Sequence, residues 1–520
     1  MPRERLRFLG FKKRKENTLT NGKNVLLITS DQQHWNTLGC INSEISTPNL
    51  DRLAAEGMMF TRAYCPNPTC TPTRASMITG LYPSQHGAWS LGTKLSEDRH
   101  TVGIDFNEAG YRTGLVGKAH FQPLKGTEKY PSLESYPTLQ DLDFWRDFDG
   151  PFYGFDTVRL ARNHADEAHV GQHYALWMEE RGLENWRDYY KPPTGTNAAQ
   201  KHRWEIPEEY HYNTWIAEES CSLLAGYKER GENFFLWSSF FDPHPPYLVP
   251  EPWDTLYSPE AITVPQLVPG EHDRNPPHFR MTQEGNPDFS AWRESGMGIH
   301  GYHSHLHDRD AMAKNIAIYY GMVTMMDKYI GQILDELDRL EMTQDTLVVF
   351  TTDHGHLFGQ HGMIAKGGFH YEDLVRLPFI ARCPGEIPAG QKSSALQSLV
   401  DLPTTFLSWA DIEVPEMMVG VDQGPVWRGD AEKARDHIVV ENRHEPTTIH
   451  LKTYVEDRYK LTVYFQQTYG ELFDLQEDPN ELNNLWDSTS HEVLKNRLIQ
   501  RLLFAEMGKE PLWMPRISGA

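Results

Sequence analysis

The runs "NVLLITS" at 24–30, "NFFLWSSF" at 233–240 and "TLVVFTT" at 346–352 carry apolar side chains on consecutive residues rather than on alternate ones. A strand that alternates can turn one face to water. A strand that does not must be covered on both faces, as in a parallel sheet wrapped by helices. Helical patterns sit between these runs. In "STPNLDRLAAEGMMF", Thr47 is placed as N-cap, Pro48 as first helical residue and Gly57 as the stop. The longest apolar pattern of helical period covers roughly 311–341. A further strand is expected at 112–120, in "GYRTGLVGKAHF". The fold class that follows is α/β, with a large mixed, mainly parallel sheet sandwiched by helices.

Sheets of this kind hold ligands at the carboxyl ends of their strands. Residues 123–215 and 250–310 are rich in Pro, Trp, Tyr and His without clear period, and are expected to be long insertions over that edge. After about residue 430 the chain alternates in "HLKTYVEDRYKLTVYFQQTYGELFDL" and ends in an amphipathic helix, "HEVLKNRLIQRLLFAE". The expected division is a basic arm at 1–20, a catalytic α/β domain at 21–430, and a smaller C-terminal α+β subdomain with an antiparallel sheet at 431–520.

A net charge of -22 repels nucleic acid and anionic membrane surfaces, so neither is expected as a partner. The five cysteines are scattered, without zinc or disulfide spacing, and fit a reducing compartment. With no apolar run long enough for a signal sequence or a membrane span, a soluble, cytoplasmic protein is expected. Association into a homo-oligomer is left open.

Asp31-Gln32 and Asp353-His354 directly follow buried strands, and hard oxygen ligands with one imidazole suit Ca²⁺, Mg²⁺ or Mn²⁺. Either pair alone equally fits a turn or a helix cap. Lys118 and His120, two apart on the expected strand, would leave the same face. His244 lies among prolines in "DPHPPY", and Lys366 among small residues in "IAKGGF". In "CTPTRASMITG", Pro72 reads as a helix start, with Thr71 or Thr73 near the cap. That puts Cys70 at the positive end of the helix dipole, and Arg74, four residues on, shares its face. A buried structural cysteine is the alternative.

The C-x-P-x-R core, followed by A-S and then T-G, resembles the signature of the type I sulfatases of the alkaline phosphatase superfamily. The resemblance extends through "TPNLDRLAAEG", "GYRTGLVGKAHF", "DPHPPY", "TTDHGHLFGQHG" and "GELFDLQEDPNELNNL". It implies that Cys70 is converted by a maturation enzyme to formylglycine, whose hydrated aldehyde is the nucleophile. It further implies one divalent ion, Ca²⁺ first and Mn²⁺ or Mg²⁺ next, at Asp31, Gln32, Cys70, Asp353 and His354. Arg74, Lys118, His120, His244 and Lys366 would surround the group transferred. The implied substrate is a small anionic sulfate ester or a sulfated saccharide. Gln32 stands where many sulfatases carry a second Asp, and His354 where many carry Asn. Gln at the first of these positions also occurs in phosphonate monoester hydrolases, which makes a phosphonate monoester or phosphodiester hydrolase the alternative.

Overall fold

The computed structural model describes residues 23–162, 170–191, 203–293, 300–444, 449–514 and 516–519. The expected basic arm lies outside them. Eight strands form the main sheet: β1 (Asn24–Ser30), β2 (Met58–Phe60), β3 (Arg112–Gly117), β4 (Thr157–Leu160), β5 (Phe234–Ser239), β6 (Thr346–Thr352), β7 (Phe379–Arg382) and β8 (Gln391–Ser393). Their order is β8-β2-β7-β6-β1-β5-β3-β4. The block from β6 to β4 is parallel, with Val25 of β1 level with Phe235 of β5 and Leu347 of β6. β7 runs antiparallel to β6 and β2, which makes the sheet mixed.

Consecutive residues of β1 feed opposite cores, which is why its sequence does not alternate. Leu26 and Ile28 pack under α1 (Pro48–Glu56) and a long helix pair, while Val25 and Leu27 face the helix that begins at Cys70 and Phe406 with Trp409. The longer helices are α1, α2 (Cys70–Thr79), α3 (Gln172–Glu180), α4 (Tyr212–Arg230), α5 (Arg309–Arg339), α6 (Asp401–Trp409) and, near the end of the chain, α7 (Glu492–Gly508). The Asp308 carboxylate caps α5 by accepting from the Ala311 amide at 2.9 Å. Gly57 ends α1 in extended backbone. Its role is close approach, since a Cβ there would lie 2.3 Å from the Ala381 carbonyl oxygen.

Several expectations need correction. The strand placed at 112–120 stops at Gly117, whose φ of 100° turns the chain and whose missing Cβ admits the Ser239 carbonyl. Lys118 and His120 therefore do not share a strand face. α2 begins at Cys70, not Pro72, because a proline in the first turn gives up only an amide that has no partner there. The stretch 123–215 is not all insertion: it contributes β4 and α3.

The C-terminal strands β9 (Ile438–His444), β10 (Ile449–Val455), β11 (Tyr459–Tyr464) and β12 (Gly470–Asp474) form an antiparallel sheet in chain order. Phe279, Phe289 and Tyr302, from the 250–310 stretch, pack with Phe369 against Ile449, Leu451 and Tyr464. α7 is less amphipathic than expected. It buries only Leu498, Leu502 and Ala505, while Val493, Leu503 and Phe504 stand in solvent. No helix among the described residues is long and apolar enough to cross a membrane.

Candidate active site

β6, β1, β5 and β3 are neighbours, so the segments leaving their carboxyl ends meet. Asp31 and Gln32 follow β1, Asp353 and His354 follow β6, Lys118 follows β3, and Asp242 to His244 follow β5. The amino end of α2 points Cys70 into the same place. Asn67 fixes that end: its Oδ1 accepts from the Thr69 amide at 2.9 Å, and its carbonyl accepts from Thr73 Oγ1 at 2.6 Å.

Asp31, Cys70, Asp353 and His354 are all buried, and each offers a ligand atom within 4.8 Å of the others. Cys70 Sγ lies 3.2 Å from His354 Nε2 and 3.7 Å from Asp31 Oδ1. His354 Nδ1 donates to the Gly355 carbonyl at 3.0 Å, which leaves the Nε2 lone pair facing the cluster. The Gln32 and His354 amides both donate to Asp353 Oδ1 at 3.0 Å. The Gln32 side-chain oxygen is buried with no hydrogen-bond partner. Two carboxylates and one imidazole nitrogen form a donor set that fits a hard divalent cation, and Gln32, whose backbone amide reaches one of these carboxylates, carries the orphaned oxygen.

Cations crowd this cluster. Lys366 Nζ lies 3.1 Å from Cys70 Sγ, 3.3 Å from His354 Nε2 and 3.1 Å from His244 Nε2. Lys118 Nζ contacts Asp31 and stands 3.9 Å from Cys70 Sγ. The fully buried Arg74 donates from Nε to Asp353 Oδ2 at 2.8 Å and from Nη1 to Ser239 Oγ at 2.8 Å. Burial alone would raise the Asp31 carboxyl, but Lys118, Arg74 and Lys366 hold it down at about 2. Burial would likewise raise the Cys70 thiol, yet Lys118 and Lys366 bring it below its ordinary value. His244 donates from Nδ1 to the Pro245 carbonyl at 2.6 Å, so its Nε2 is the acceptor for Lys366.

Backbone strain gathers here too. Gln32, His120 and Ala365 have φ of 60°, 58° and 61°, the left-handed region that costs a non-glycine residue on the order of 1–3 kcal/mol. Each is next to, or two residues from, a side chain of the cluster. The structure thus brings together Asp31, Cys70, Arg74, Lys118, His244, Asp353, His354 and Lys366. Gln32 joins through its backbone amide, and His120 is buried just beyond Lys118.

Two features escaped the sequence reading. The buried Arg162–Glu134 ion pair braces the segment after Lys118: Glu134 accepts from the Phe121 amide at 3.1 Å, and Arg162 donates to the Gln122 carbonyl at 3.0 Å. His356 touches the Gln32 side chain. The H-G-H spacing in "TTDHGHLFG" was the available signal for the second, and nothing local marked the first.

A family model described as Sulfatase matches residues 23–412. A second, described as N-sulphoglucosamine sulphohydrolase, C-terminal, matches 359–507. The chain belongs to the sulfatase family, within the alkaline phosphatase superfamily, and is a hydrolase of sulfuric ester bonds. It is 27% identical over 500 residues to an arylsulfatase of Clostridium perfringens, covering 94% of this chain and 95% of that one. It is 25% identical over 512 residues to an N-acetylglucosamine-6-O-sulfatase of Bacteroides thetaiotaomicron, covering 93% and 86%. The crystal structure of a phosphonate monoester hydrolase of Agrobacterium radiobacter matches with a TM-score of 0.76 at 25% identity, over 94% of this chain and 96% of that one.

Proposed function

We propose that the protein releases inorganic sulfate from a sulfate monoester, a sulfated sugar in preference to a simple aryl sulfate, with residue 70 acting in its formylglycine form. The observation that carries this reading is the position of Cys70 Sγ, 3.1 Å from Lys366 Nζ and 3.2 Å from His354 Nε2 in an otherwise sealed cluster. A C-x-P-x-R cysteine placed there, at a helix amino end, suits a nucleophile produced by a maturation enzyme. Asp31, Gln32, Asp353, His354 and residue 70 would hold one divalent ion, calcium before manganese or magnesium. Such an ion, when bound, acidifies the hydroxyls of residue 70 and neutralises charge on the transferred group.

The chain's own cations do the rest. Lys118 and Lys366 flank the sulfur of residue 70 from two directions and are placed to bind nonbridging oxygens as charge builds on them. Arg74, tied to Asp353 and Ser239, is a rigid part of the same positive wall. The leaving alcohol needs a proton. His244 Nε2 accepts from Lys366, so Lys366 carries the available proton and His244 aims it. His120 is assigned to release of sulfate from residue 70.

Sugar sulfates are favoured by the relative that acts on N-acetylglucosamine 6-O-sulfate and by the aromatic and His-rich stretch 250–310. Hydrolysis of phosphonate monoesters or phosphodiesters is the second reading, supported by Gln32 and by the likeness to the Agrobacterium enzyme. Division of the chain near residue 430 is supported by the placement of all four antiparallel strands β9 to β12 after it. Initial rates on matured protein, across sugar sulfates, aryl sulfates, phosphonate monoesters and phosphodiesters, test the assignment. A kcat/KM for any phosphorus ester above that for every sulfate ester would overturn it.

A further inference from the structure

His356 lies two residues beyond His354 and has no assigned part in the reaction, yet it is fully buried and locked on every side. Its ring stacks on Tyr319 at 5.4 Å and 22°, and packs against Phe358 at 4.5 Å. Both ring nitrogens are engaged. Nδ1 lies 2.7 Å from Gln32 Nε2, and Nε2 lies 2.7 Å from the Tyr247 hydroxyl. An amide NH₂ only donates, so Nδ1 is the acceptor, and the ring proton sits on Nε2 and is given to Tyr247. Tyr319 clamps the other end of Gln32, donating its hydroxyl to the Gln32 carbonyl at 2.8 Å.

The Gln32 side-chain oxygen is thereby left buried with no hydrogen-bond partner. A buried acceptor without a partner costs about 1–3 kcal/mol and calls for an explanation. The Gln32 amide already reaches Asp353, one of the clustered carboxylates, so the oxygen belongs to the same locality. We propose that His356 is a positioning residue: by accepting from Gln32 Nε2 it fixes the amide so that Oε1, not Nε2, is presented to a divalent cation held by Asp31, Asp353 and His354. Tyr247 holds the ring tautomer that makes this possible. The inference rests on the metal-dependent reading above.

The test is calcium binding to full-length, metal-stripped protein, measured by calorimetry, with thermal unfolding of the metal-free form as the control for folding. His356→Ala is expected to weaken calcium about 10–100-fold, the usual loss when a group that orients a ligand is removed. His356→Asn, which keeps an acceptor near Nδ1, should restore most of it. Tyr247→Phe should give a smaller loss in the same direction, and serves if His356→Ala does not fold. In a Gln32→Ala background, His356→Ala should add less than about twofold, because two residues acting through one contact are not additive. An unchanged affinity in both His356→Ala and Tyr247→Phe, or an equal loss with and without Gln32, overturns the proposal while leaving the metal site standing. Failure of the wild-type protein to bind any divalent cation overturns both.

Discussion

Behind the C-terminal sheet, Lys460 is fully buried between Glu372, 3.2 Å away, and Glu481; at the carboxyl ends of the parallel strands, Arg74, Lys118 and Lys366 crowd around Asp31 and Asp353. The first cluster has an excess of acid, and burial, only partly offset by Lys460, raises the Glu481 carboxyl so that a proton balances it. The second sets three cationic side chains against two carboxylates, which leaves an excess of cation. The first joins the C-terminal sheet to Glu372, on the segment after Lys366, and one of its members, Glu481, has a left-handed φ of 53°. The second sits among three such residues, Gln32, His120 and Ala365. Balanced buried charge stabilises the fold; the unbalanced cluster keeps a surplus that an anion arriving from outside would match.

Five substitutions probe this contrast, the largest effect first. Cys70→Ala should cut sulfate ester turnover by about 10⁴-fold or more, as loss of a nucleophile does, without altering thermal unfolding by more than a few degrees. Activity within tenfold of wild type would break the assignment of the unbalanced cluster as the reactive one. Lys366→Ala should lower turnover of an alkyl or sugar sulfate by about 10²–10⁴-fold, and that of nitrophenyl sulfate far less, since a good leaving group needs no proton. His244→Ala should follow the same pattern more weakly. An equal loss on both substrates would reduce Lys366 to holding the sulfate.

Lys460→Ala should do the reverse: about 3–5 kcal/mol of stability lost in urea unfolding, because half-buried Glu372 and buried Glu481 lose the cation between them, with kcat of the folded protein unchanged. A large kcat loss at unaltered stability would erase the distinction between the clusters. The smallest effect concerns Glu471, on β12, whose carboxyl burial raises to about 7 although Tyr464 and Lys460 lower it. The folded chain then binds a proton that the unfolded chain releases, so stability is full below about pH 4.5 and falls as pH rises through 7. Glu471→Gln should flatten that fall, by up to about 3 kcal/mol, in unfolding free energies measured from pH 5 to 8. A wild-type profile without the fall would show that the carboxyl is solvated.

What could be read in advance divides along physical lines. β1, β5 and β6 were legible to within a residue because double-sided burial writes itself as an unbroken apolar run. β4 was not: its four residues lie at the sheet edge with Thr157 and Arg159 partly exposed, so it carries no such run. β9 was missed because "IVVENRH" does not alternate: three apolar residues are followed by four polar ones. Single residues of the site were legible wherever chemistry and chain position coincide, as at Asp31, Cys70 and Asp353. His356, Tyr247, Arg162 and Glu134 were not, since each acts on a residue far away in the chain, and spacing says nothing of such pairs.

The helix that carries Cys70 has a further consequence, one of timing. Cys70 is 1% exposed, and Thr71, Thr73 and Arg74 are 0% exposed, so every mark by which an enzyme would recognise that cysteine is sealed inside the finished molecule. Chemistry on Cys70 by another protein therefore belongs to the interval between synthesis and folding. If residue 70 acts in its formylglycine form, as proposed, a chain that missed the modification before the sheet closed over α2 would stay unmodified until it unfolded. The fraction of active molecules in a preparation would then record a race between two rates, modification and folding, and not the amount of protein made.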